Sequence, residues 1–232
     1  VAQNGVIAGV FQELPGKYQD TALEDFGDCL LIPSFTDLHL HAPQYAMMGM
    51  GFDLPLLEWL NTYTFKEEAR FADAGFARTV YEALAAELVR RGTTRVCMFS
   101  SLHREGTLIL MDALERAGLT GFVGKVNMDR NSPDCLRETC EESLAQTRRW
   151  LDECAGRYAH IKPILTPRFT PSCSDALMEG LGRLAEEYEL PVQSHLSEND
   201  AEIEWVRALH PDCAQYWETY AKFGLWKRGT IM

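Results

Sequence analysis

The sequence alternates between short apolar segments and longer amphipathic ones, and this alternation restricts the fold more than any other feature. Apolar, β-branched segments typical of strands occur at 93–99, 121–126, 161–166 and 191–196. Between such segments, apolar residues recur at helical spacing, as they do over 74–91. Five successive strand–helix alternations with short connections predict a parallel sheet with right-handed crossovers.

The type of parallel fold follows from the motifs that are absent. No Gly-x-Gly-x-x-Gly motif follows the first strand, which argues against a dinucleotide-binding, doubly wound sheet. A (β/α)8 barrel fits the pattern better, but a complete barrel needs eight strands and ~250 residues. We therefore predict an α/β fold of the (β/α)8 TIM-barrel type, incomplete here with about five to six strands. Residues 1–34 are interpreted as the remnant of a small β-sandwich domain, and 35–232 as the N-terminal part of the barrel.

The composition restricts the possible partners and the compartment. The formal net charge is -12, so we expect no nucleic-acid partner, since phosphate binding needs clustered Lys and Arg. No segment is apolar over the length of a membrane span, so we expect no membrane partner. The odd number of cysteines and the absence of Cys-x-x-Cys predict reduced thiols in a cytoplasmic protein. The cysteines are Cys29, Cys97, Cys135, Cys140, Cys154, Cys173 and Cys213.

A His-x-His motif at the end of the first barrel strand is the first candidate for chemistry. His39 and His41 are two residues apart, so in a strand both imidazoles point to the same face. Imidazole is a good ligand for zinc, copper, iron or nickel. The same motif also occurs as surface or hydrogen-bonded histidines, so the local pattern leaves the metal and structural interpretations open.

Residues at the ends of later strands provide further candidates, because barrel enzymes carry their working residues there. His195 is a third possible metal ligand or a hydrogen-bonded core residue, and Glu198 is a general acid/base or a helix-start acid. Arg168 and Phe169 could anchor a carbonyl oxygen and stack on a planar ring, or be a solvated arginine and a packing residue. His103 lacks a matching partner and is interpreted as a bystander. Packing is expected for the tryptophans Trp59, Trp150, Trp205, Trp217 and Trp226.

Four strings of residues, in matching order and spacing through almost the whole chain, resemble the guanine deaminases of the amidohydrolase superfamily. The strings are His-Leu-His-Ala-Pro-Gln-Tyr at 39–45, Asp-Leu-Pro-Leu-Leu-Glu-Trp-Leu at 53–60, Lys-Pro-Ile-Leu-Thr-Pro-Arg-Phe at 162–169 and Gln-Ser-His-Leu-Ser-Glu-Asn at 193–199. The His-x-His motif is common to the superfamily. The His-Ala-Pro-Gln, Asp-Leu-Pro-Leu-Leu-Glu-Trp-Leu and Thr-Pro-Arg-Phe strings are more specific to guanine deaminases.

This resemblance implies a reaction and a role for each matching residue. The reaction is the hydrolysis of guanine to xanthine and ammonia in purine catabolism, by a water that one zinc ion activates. The implied zinc ligands are His39, His41 and His195, and the implied proton shuttle is Glu198. The implied substrate-binding residues are His41, Ala42, Pro43, Gln44, Arg168, Phe169 and His195. Members of the family commonly form homodimers, so the resemblance also implies a homodimer.

Other interpretations and one departure from the family remain. Another amidohydrolase, acting on an amino-purine, pterin or triazine, is the second enzymatic interpretation, and a non-catalytic barrel scaffold is the third. The candidate ligands and Glu198 are all present, which argues against the scaffold.

The family's fourth histidine and its ligand aspartate would lie beyond Met232. We therefore expect the chain to be a fragment of a longer enzyme, inactive by itself.

Overall fold

The computed structural model describes residues 1–4 and 6–232, which form two compact units. The units are Val1–Pro33 and Ser34–Met232. Their boundary lies one residue before the boundary predicted from the sequence. The assignment of the first unit to a β-sandwich domain stays a prediction.

The first unit contains little regular structure. Its β1 (Ala2–Gln3) and β2 (Val6–Ile7) pair antiparallel, and one 3₁₀ turn covers Gly16–Tyr18. The apolar segment at 29–32, whose pattern is typical of a strand, forms none. Leu30 is 85% exposed, because no strand among the described residues pairs with this segment.

The second unit is built on a parallel sheet whose strand order follows the chain. The strands are β3 (Phe35–His41), β4 (Thr93–Phe99), β5 (Thr120–Gly124), β6 (Val126–Asn127), β7 (Ile161–Pro163) and β8 (Thr166–Pro167). Sheet order is β3-β4-β5-β7, and β6 pairs with β8, all in parallel. Parallel bridges Leu165–Val192 and Gln193–Ile231 extend the same order. A doubly wound sheet would reverse its order at a switch point, so the sequential order confirms the predicted barrel-type topology.

Helices connect the successive strands. They are α1 (Leu56–Trp59), α2 (Phe65–Ala69), α3 (Ala74–Arg90), α4 (Arg104–Arg116), α5 (Cys140–Cys154), α6 (Asp175–Glu187), α7 (Asp200–Leu209) and α8 (Glu218–Ala221). A π-helical turn at Leu60–Thr64 joins α1 to α2, and 3₁₀ turns cover Ala42–Met47, Arg70–Ala72, Asp134–Leu136 and Thr170–Ser172. None of the helices in the described ranges is long and apolar enough to cross a membrane.

Side-chain caps explain where several helices begin. Asp73 accepts a hydrogen bond from the Phe76 amide at the start of α3, and Ser174 accepts one from the Leu177 amide at the start of α6. Thr139 forms a capping box with Glu142 at the start of α5. These caps satisfy backbone N–H groups that the first helical turn leaves without partners.

Three local predictions after residue 190 are wrong. The strand predicted at 191–196 is reduced to isolated bridges at Val192 and Gln193. The Ser-x-x-Asp string at 197–200 resembles a capping box and predicts a helix cap at Ser197. The cap of α7 is instead Asn199, because Ser197 has a φ of 57° and turns the chain in the left-handed region. The sequence also predicts a helix over 214–223, but this segment is α-helical only at Glu218–Ala221, since the flanking turns bond three residues apart.

The core lies between the parallel sheet and the helices on its outer side. Tyr81 of α3, Leu110 and Leu114 of α4 and Met98 of β4 are fully buried. Gly121 allows β5 to approach β4, since its φ is 132° and an added Cβ would overlap a backbone oxygen of β4. This close packing holds the strand ends in a common register.

Glu115, in the last turn of α4, anchors the start of β7. Its carboxylate accepts hydrogen bonds from the backbone N–H groups of Ala159 (3.0 Å), His160 (3.1 Å) and Ile161 (3.0 Å). Burial by itself would raise the pKa of Glu115, but these hydrogen bonds outweigh it and lower the pKa to about 2. The ionised form is therefore the one that supports the fold.

We predict that Glu115→Gln destabilises the protein by about 1–2 kcal/mol, since charge-assisted hydrogen bonds are replaced by weaker ones. A lowered pKa stabilises the fold above the ordinary value of 4.5, and this contribution is lost as the pH falls towards 2. The stability difference between parent and variant, measured by urea unfolding, should therefore shrink below pH 4.5.

The matched control is Glu82→Gln, on an exposed ion pair with Arg116 at 2.9 Å. Its effect should stay within about 0.5 kcal/mol. Equal unfolding energies for the two variants, or a Glu115→Gln difference that does not change with pH, would contradict this role of Glu115.

Candidate metal centre and active site

Three imidazoles meet at the carboxyl end of the parallel sheet. His39 and His41 lie near the carboxyl end of β3, which ends at His41, and His195 follows Val192 and Gln193, which form isolated parallel bridges. Their ligating nitrogens all lie within 4.8 Å of one another. The ring centroids form a nearly equilateral triangle with sides of 5.2, 5.0 and 5.0 Å. Parallel strands thus bring together residues that are 154 positions apart.

Hydrogen bonding prepares His195 to act as a ligand. Its Nδ1 lies 2.6 Å from the backbone oxygen of Arg168, which can only accept, so Nδ1 carries the proton. Nε2 of His195 therefore carries the lone pair, which accepts a hydrogen bond from Nε2 of His41 at 2.9 Å. Nitrogens that share one tetrahedral zinc ion are separated by about 3.4 Å, so a small adjustment would admit a metal. The backbone oxygen is the kind of partner that orients metal-bound histidines.

The three imidazoles are held in the neutral form that binds metals. Burial lowers the pKa of His195 to about 3 and, with the neighbouring His195 and Arg168, lowers the pKa of His41 well below its ordinary value. Burial also lowers the pKa of His39, although Asp37 opposes the shift. His41 Nδ1 is buried without a hydrogen-bond partner among the described residues. The donor set and its protonation fit a zinc ion or a similar imidazole-preferring metal.

Phe99 forms the floor below the three histidines. It is the last residue of β4 and is 1% exposed. Its ring stacks on His41 at 4.5 Å between centroids and lies 5.2 Å from His39 and 4.6 Å from His195. This apolar ring excludes water from one side of the site. Sequence analysis missed this role, although the position of Phe99 at the end of a neighbouring strand was a usable signal.

A cavity of about 360 Å³ opens above the histidines. Residues predicted for the site that line it are His39, His41, Gln44, Arg168, Phe169, His195 and Glu198. Ala42 and Pro43 are buried in the 3₁₀ turn between His41 and Gln44 and are not among the lining residues in the described ranges. Their predicted substrate contact stays a prediction. Trp59, expected to serve packing alone, does line the cavity.

Arg168 is buried in a bidentate ion pair and not solvated. Its Nη1 and Nη2 lie 2.5 and 3.1 Å from the two carboxylate oxygens of Glu68, and both side chains are almost fully buried. Gln44 Nε2 also donates to Glu68, at 3.3 Å. Sequence analysis missed Glu68. Its signal was an acidic residue at helical spacing from the buried Phe65 and Phe71.

Glu198 lines the cavity, and the pKa of its carboxyl is raised. Although Glu198 as a residue is exposed, partial burial of its carboxyl raises its pKa, and the neighbouring Glu202 raises it further, while Arg168 acts in the opposite direction. The backbone N–H of Glu198 donates to Glu202 at 2.9 Å. The N-cap of α7 is Asn199, so capping does not account for Glu198. A carboxyl whose pKa is raised towards neutrality is suited to proton transfer.

A second group of possible ligand atoms lies at His210, Asp212 and Cys213. Two cationic side chains already contact this group. Lys222 Nζ lies 2.9 Å from the Asp212 carboxylate, and Arg130 Nη2 lies 3.4 Å from His210 Nε2. A metal ion would have to compete with these charges. The triangle of imidazoles has no such competitor among its described contacts and is the better metal site.

Comparison with known proteins places the chain in a family. Residues 30–231 match the family model described as the amidohydrolase family. The chain belongs to the amidohydrolase family. It is 44% identical over 218 residues to the guanine deaminase of Dictyostelium discoideum, covering 94% of this chain and 48% of that protein. It is 43% identical over 204 residues to the guanine deaminase of Homo sapiens, covering 87% and 45%.

Solved structures agree with this assignment. The crystal structure of a guanine deaminase from C. acetobutylicum, with guanine bound in its active site, matches with a TM-score of 0.94 and 46% identity. That match covers 97% of this chain and 54% of the other. The chain thus spans about half the length of the curated relatives that it matches. The predicted resemblance to guanine deaminases and the predicted barrel-type α/β fold are confirmed.

We predict that His195→Ala removes the bound metal from the protein purified at its natural length, because it deletes one of the three converging donors. His103→Ala is the matched control, since His103 starts α4 and is not part of the imidazole triangle. Elemental analysis should find less than about a tenth of an equivalent of metal in His195→Ala and an unchanged content in the control. Equal metal contents in the two variants would contradict the assignment of His195 to the metal site.

Proposed function

We propose that the protein containing this chain is a guanine deaminase, which hydrolyses guanine to xanthine and ammonia in purine catabolism. One observation carries the proposal: neutral imidazoles, a carboxyl of raised pKa and a buried arginine surround the same cavity. The relatives named above support the choice of guanine. We also propose a homodimer in the cytoplasm, and the reduced state of every described cysteine agrees with that compartment.

His39, His41 and His195 would hold a zinc ion. Zinc supplies a Lewis acid that lowers the pKa of a bound water to near neutrality. The contribution of the chain is to keep the three imidazoles neutral and oriented, through burial and through the hydrogen bond from His195 Nδ1 to Arg168. Phe99 keeps water away from the lower side of the site.

Glu198 would move the protons of the reaction. Deamination requires a proton on the ring nitrogen next to the carbon under attack, and a later proton on the departing amine. A carboxyl of raised pKa, facing the cavity, can take a proton from the attacking water and pass it to the ring. Glu198 follows His195 by three residues and lines the same cavity as the three imidazoles, which supports this role.

Arg168, Gln44 and Phe169 would select the ring. Arg168 can donate to the carbonyl oxygen of guanine, which adenine lacks. A buried donor left without a partner costs binding, and such a site can reject the wrong analogue by ~10⁴ in favourable cases. Phe169 is 6% exposed and is braced edge-on by Trp205 at 6.3 Å, so its ring can stack on a purine.

We predict that Glu198→Gln retains zinc but lowers kcat by about 10²–10⁴, because it removes the proton carrier and not a metal ligand. Asp200→Asn is the matched control, as Asp200 is an exposed acid in the first turn of α7. Stopped assays of ammonia release on the protein at its natural length, with metal content measured on the same samples, test this. A near-normal kcat for Glu198→Gln would remove Glu198 from the mechanism.

Substrate preference tests the proposed function itself. We predict that kcat/KM for guanine exceeds that for adenine by ~10³ or more, because only guanine offers a carbonyl oxygen to Arg168. Steady-state assays on guanine, adenine, cytosine, a pterin and an amino-triazine check this. A higher kcat/KM for a pterin or triazine would favour a different amidohydrolase activity. No turnover of any ring by the metal-loaded protein would favour a scaffold.

A further inference from the structure

We infer that Glu68 is a positioning residue that sets the recognition of the ring carbonyl by acting through Arg168 and Gln44. Glu68 is not among the residues that line the cavity in the described ranges, so any effect on the substrate must pass through its neighbours. The inference rests on the proposed function and deepens it, because it names what fixes the specificity of the site.

Glu68 and Arg168 each need the other as the partner of a buried charge. Both side chains are buried, with exposures of 2% and 3%. A buried charge that loses its partner is strongly unfavourable, so neither side chain can turn elsewhere without a large cost. The Phe65 ring also packs against the guanidinium, with its centroid 5.2 Å from the Arg168 guanidinium carbon. Arg168 is therefore held in one place before any ligand arrives.

The carboxylate also decides which N–H groups remain for a ligand. A guanidinium has five N–H groups, and a bidentate contact uses one on each of its two terminal nitrogens. The planar guanidinium is then fixed in the plane of the Glu68 carboxylate, and its other donors remain for a ligand. Because Arg168 lines the cavity, a planar ring with a carbonyl oxygen fits these donors.

Glu68 orients Gln44 in the same way. The Oε1 atom of Glu68 lies 3.3 Å from Nε2 of Gln44. A carboxylate only accepts hydrogen bonds, so the amide nitrogen and not the amide oxygen must face it. One side chain on α2 thus fixes two residues that line the cavity. Both come from other parts of the chain, and Arg168 is 100 residues away.

A double-mutant cycle on the zinc-loaded protein at its natural length tests the inference. The variants are Glu68→Gln, Arg168→Met and the double variant, assayed with guanine as substrate and with 2-aminopurine as a competitive ligand. We expect Glu68→Gln to lower kcat/KM for guanine about 100-fold, mainly by raising KM. In the Arg168→Met background the same change should lower it less than about 3-fold, because only the 3.3 Å contact with Gln44 is then left for Glu68 to act through. Binding of 2-aminopurine, which has no ring carbonyl, should change less than about 3-fold.

Two further variants separate positioning from folding. Glu138→Gln alters another buried ion pair, with Lys125 at 2.8 Å, outside the residues that line the cavity, and should leave kcat/KM for guanine unchanged. If Glu68→Gln does not fold, Glu68→Asp keeps the charge but shortens the side chain. It should lower kcat/KM for guanine at least about 10-fold with 2-aminopurine binding unchanged.

The possible outcomes distinguish the role of Glu68 from the proposed guanine deaminase function. Losses that simply add in the double variant, or equal losses for guanine and 2-aminopurine, overturn the role of Glu68 and leave the proposed function intact. A parent protein that is loaded with zinc and does not turn over guanine overturns the proposed function, and the role of Glu68 in it. Losses of kcat/KM that are non-additive in the double variant and confined to guanine support the role of Glu68 and the proposed function.

Discussion

The contacts of Arg168 connect the candidate metal centre to the cavity beside it. Its backbone oxygen accepts the hydrogen bond that fixes the tautomer of His195. Its guanidinium is locked onto Glu68 and lines the cavity. Its backbone N–H donates to the backbone oxygen of Asn127, which ties the segment after β8 to β6. A single residue therefore orients a proposed metal ligand by its main chain and carries, in its side chain, the group proposed to recognise the ring. A shift of this segment would disturb both at once.

The parallel sheet makes this arrangement possible. Strands that run in the same direction place their last residues at one end, so side chains from distant parts of the sequence meet there. His41 is the last residue of β3, Phe99 is the last residue of β4, and His195 follows the bridged residue Gln193. The rings of Phe99 and His195 both stack on the ring of His41. Burial at this end lowers the pKa of His41 and makes Glu68 the necessary partner of the buried Arg168 guanidinium. The proposed metal binding and the proposed ring recognition would thus both depend on the same desolvated environment.

Much of this could be predicted from local sequence because strand ends can be read from apolar runs. The convergence of His39, His41 and His195 follows from the two-residue period of a strand and from the common direction of parallel strands. The resemblance to a family supplied the proposed roles of Arg168 and Glu198, which local patterns left open. The boundaries of β4 agree with the prediction residue for residue, since Thr93 follows a helix-ending glycine.

The remaining features depend on contacts that local patterns do not contain. Glu68 pairs with a residue 100 positions later, and a charged residue in a short helix usually faces solvent. The strand predicted at 191–196 is only partly formed, because its pairing depends on the residues around Ile231 as well as on its own propensity. The left-handed φ of Ser197 moved the start of α7 to Asn199, and serine gives no strong signal for that conformation.

X-ray absorption spectroscopy at the zinc edge, on the protein at its natural length, tests the central claim most directly. The claim is that the metal is held by the imidazoles at the end of the sheet. We predict a first shell of nitrogen and oxygen at about 2.0–2.2 Å, with the outer-shell scattering of at least three imidazoles. A sulfur ligand at about 2.3 Å would instead place the metal at a cysteine, such as the one beside His210 and Asp212. That result, or a protein that retains no zinc, would contradict the account.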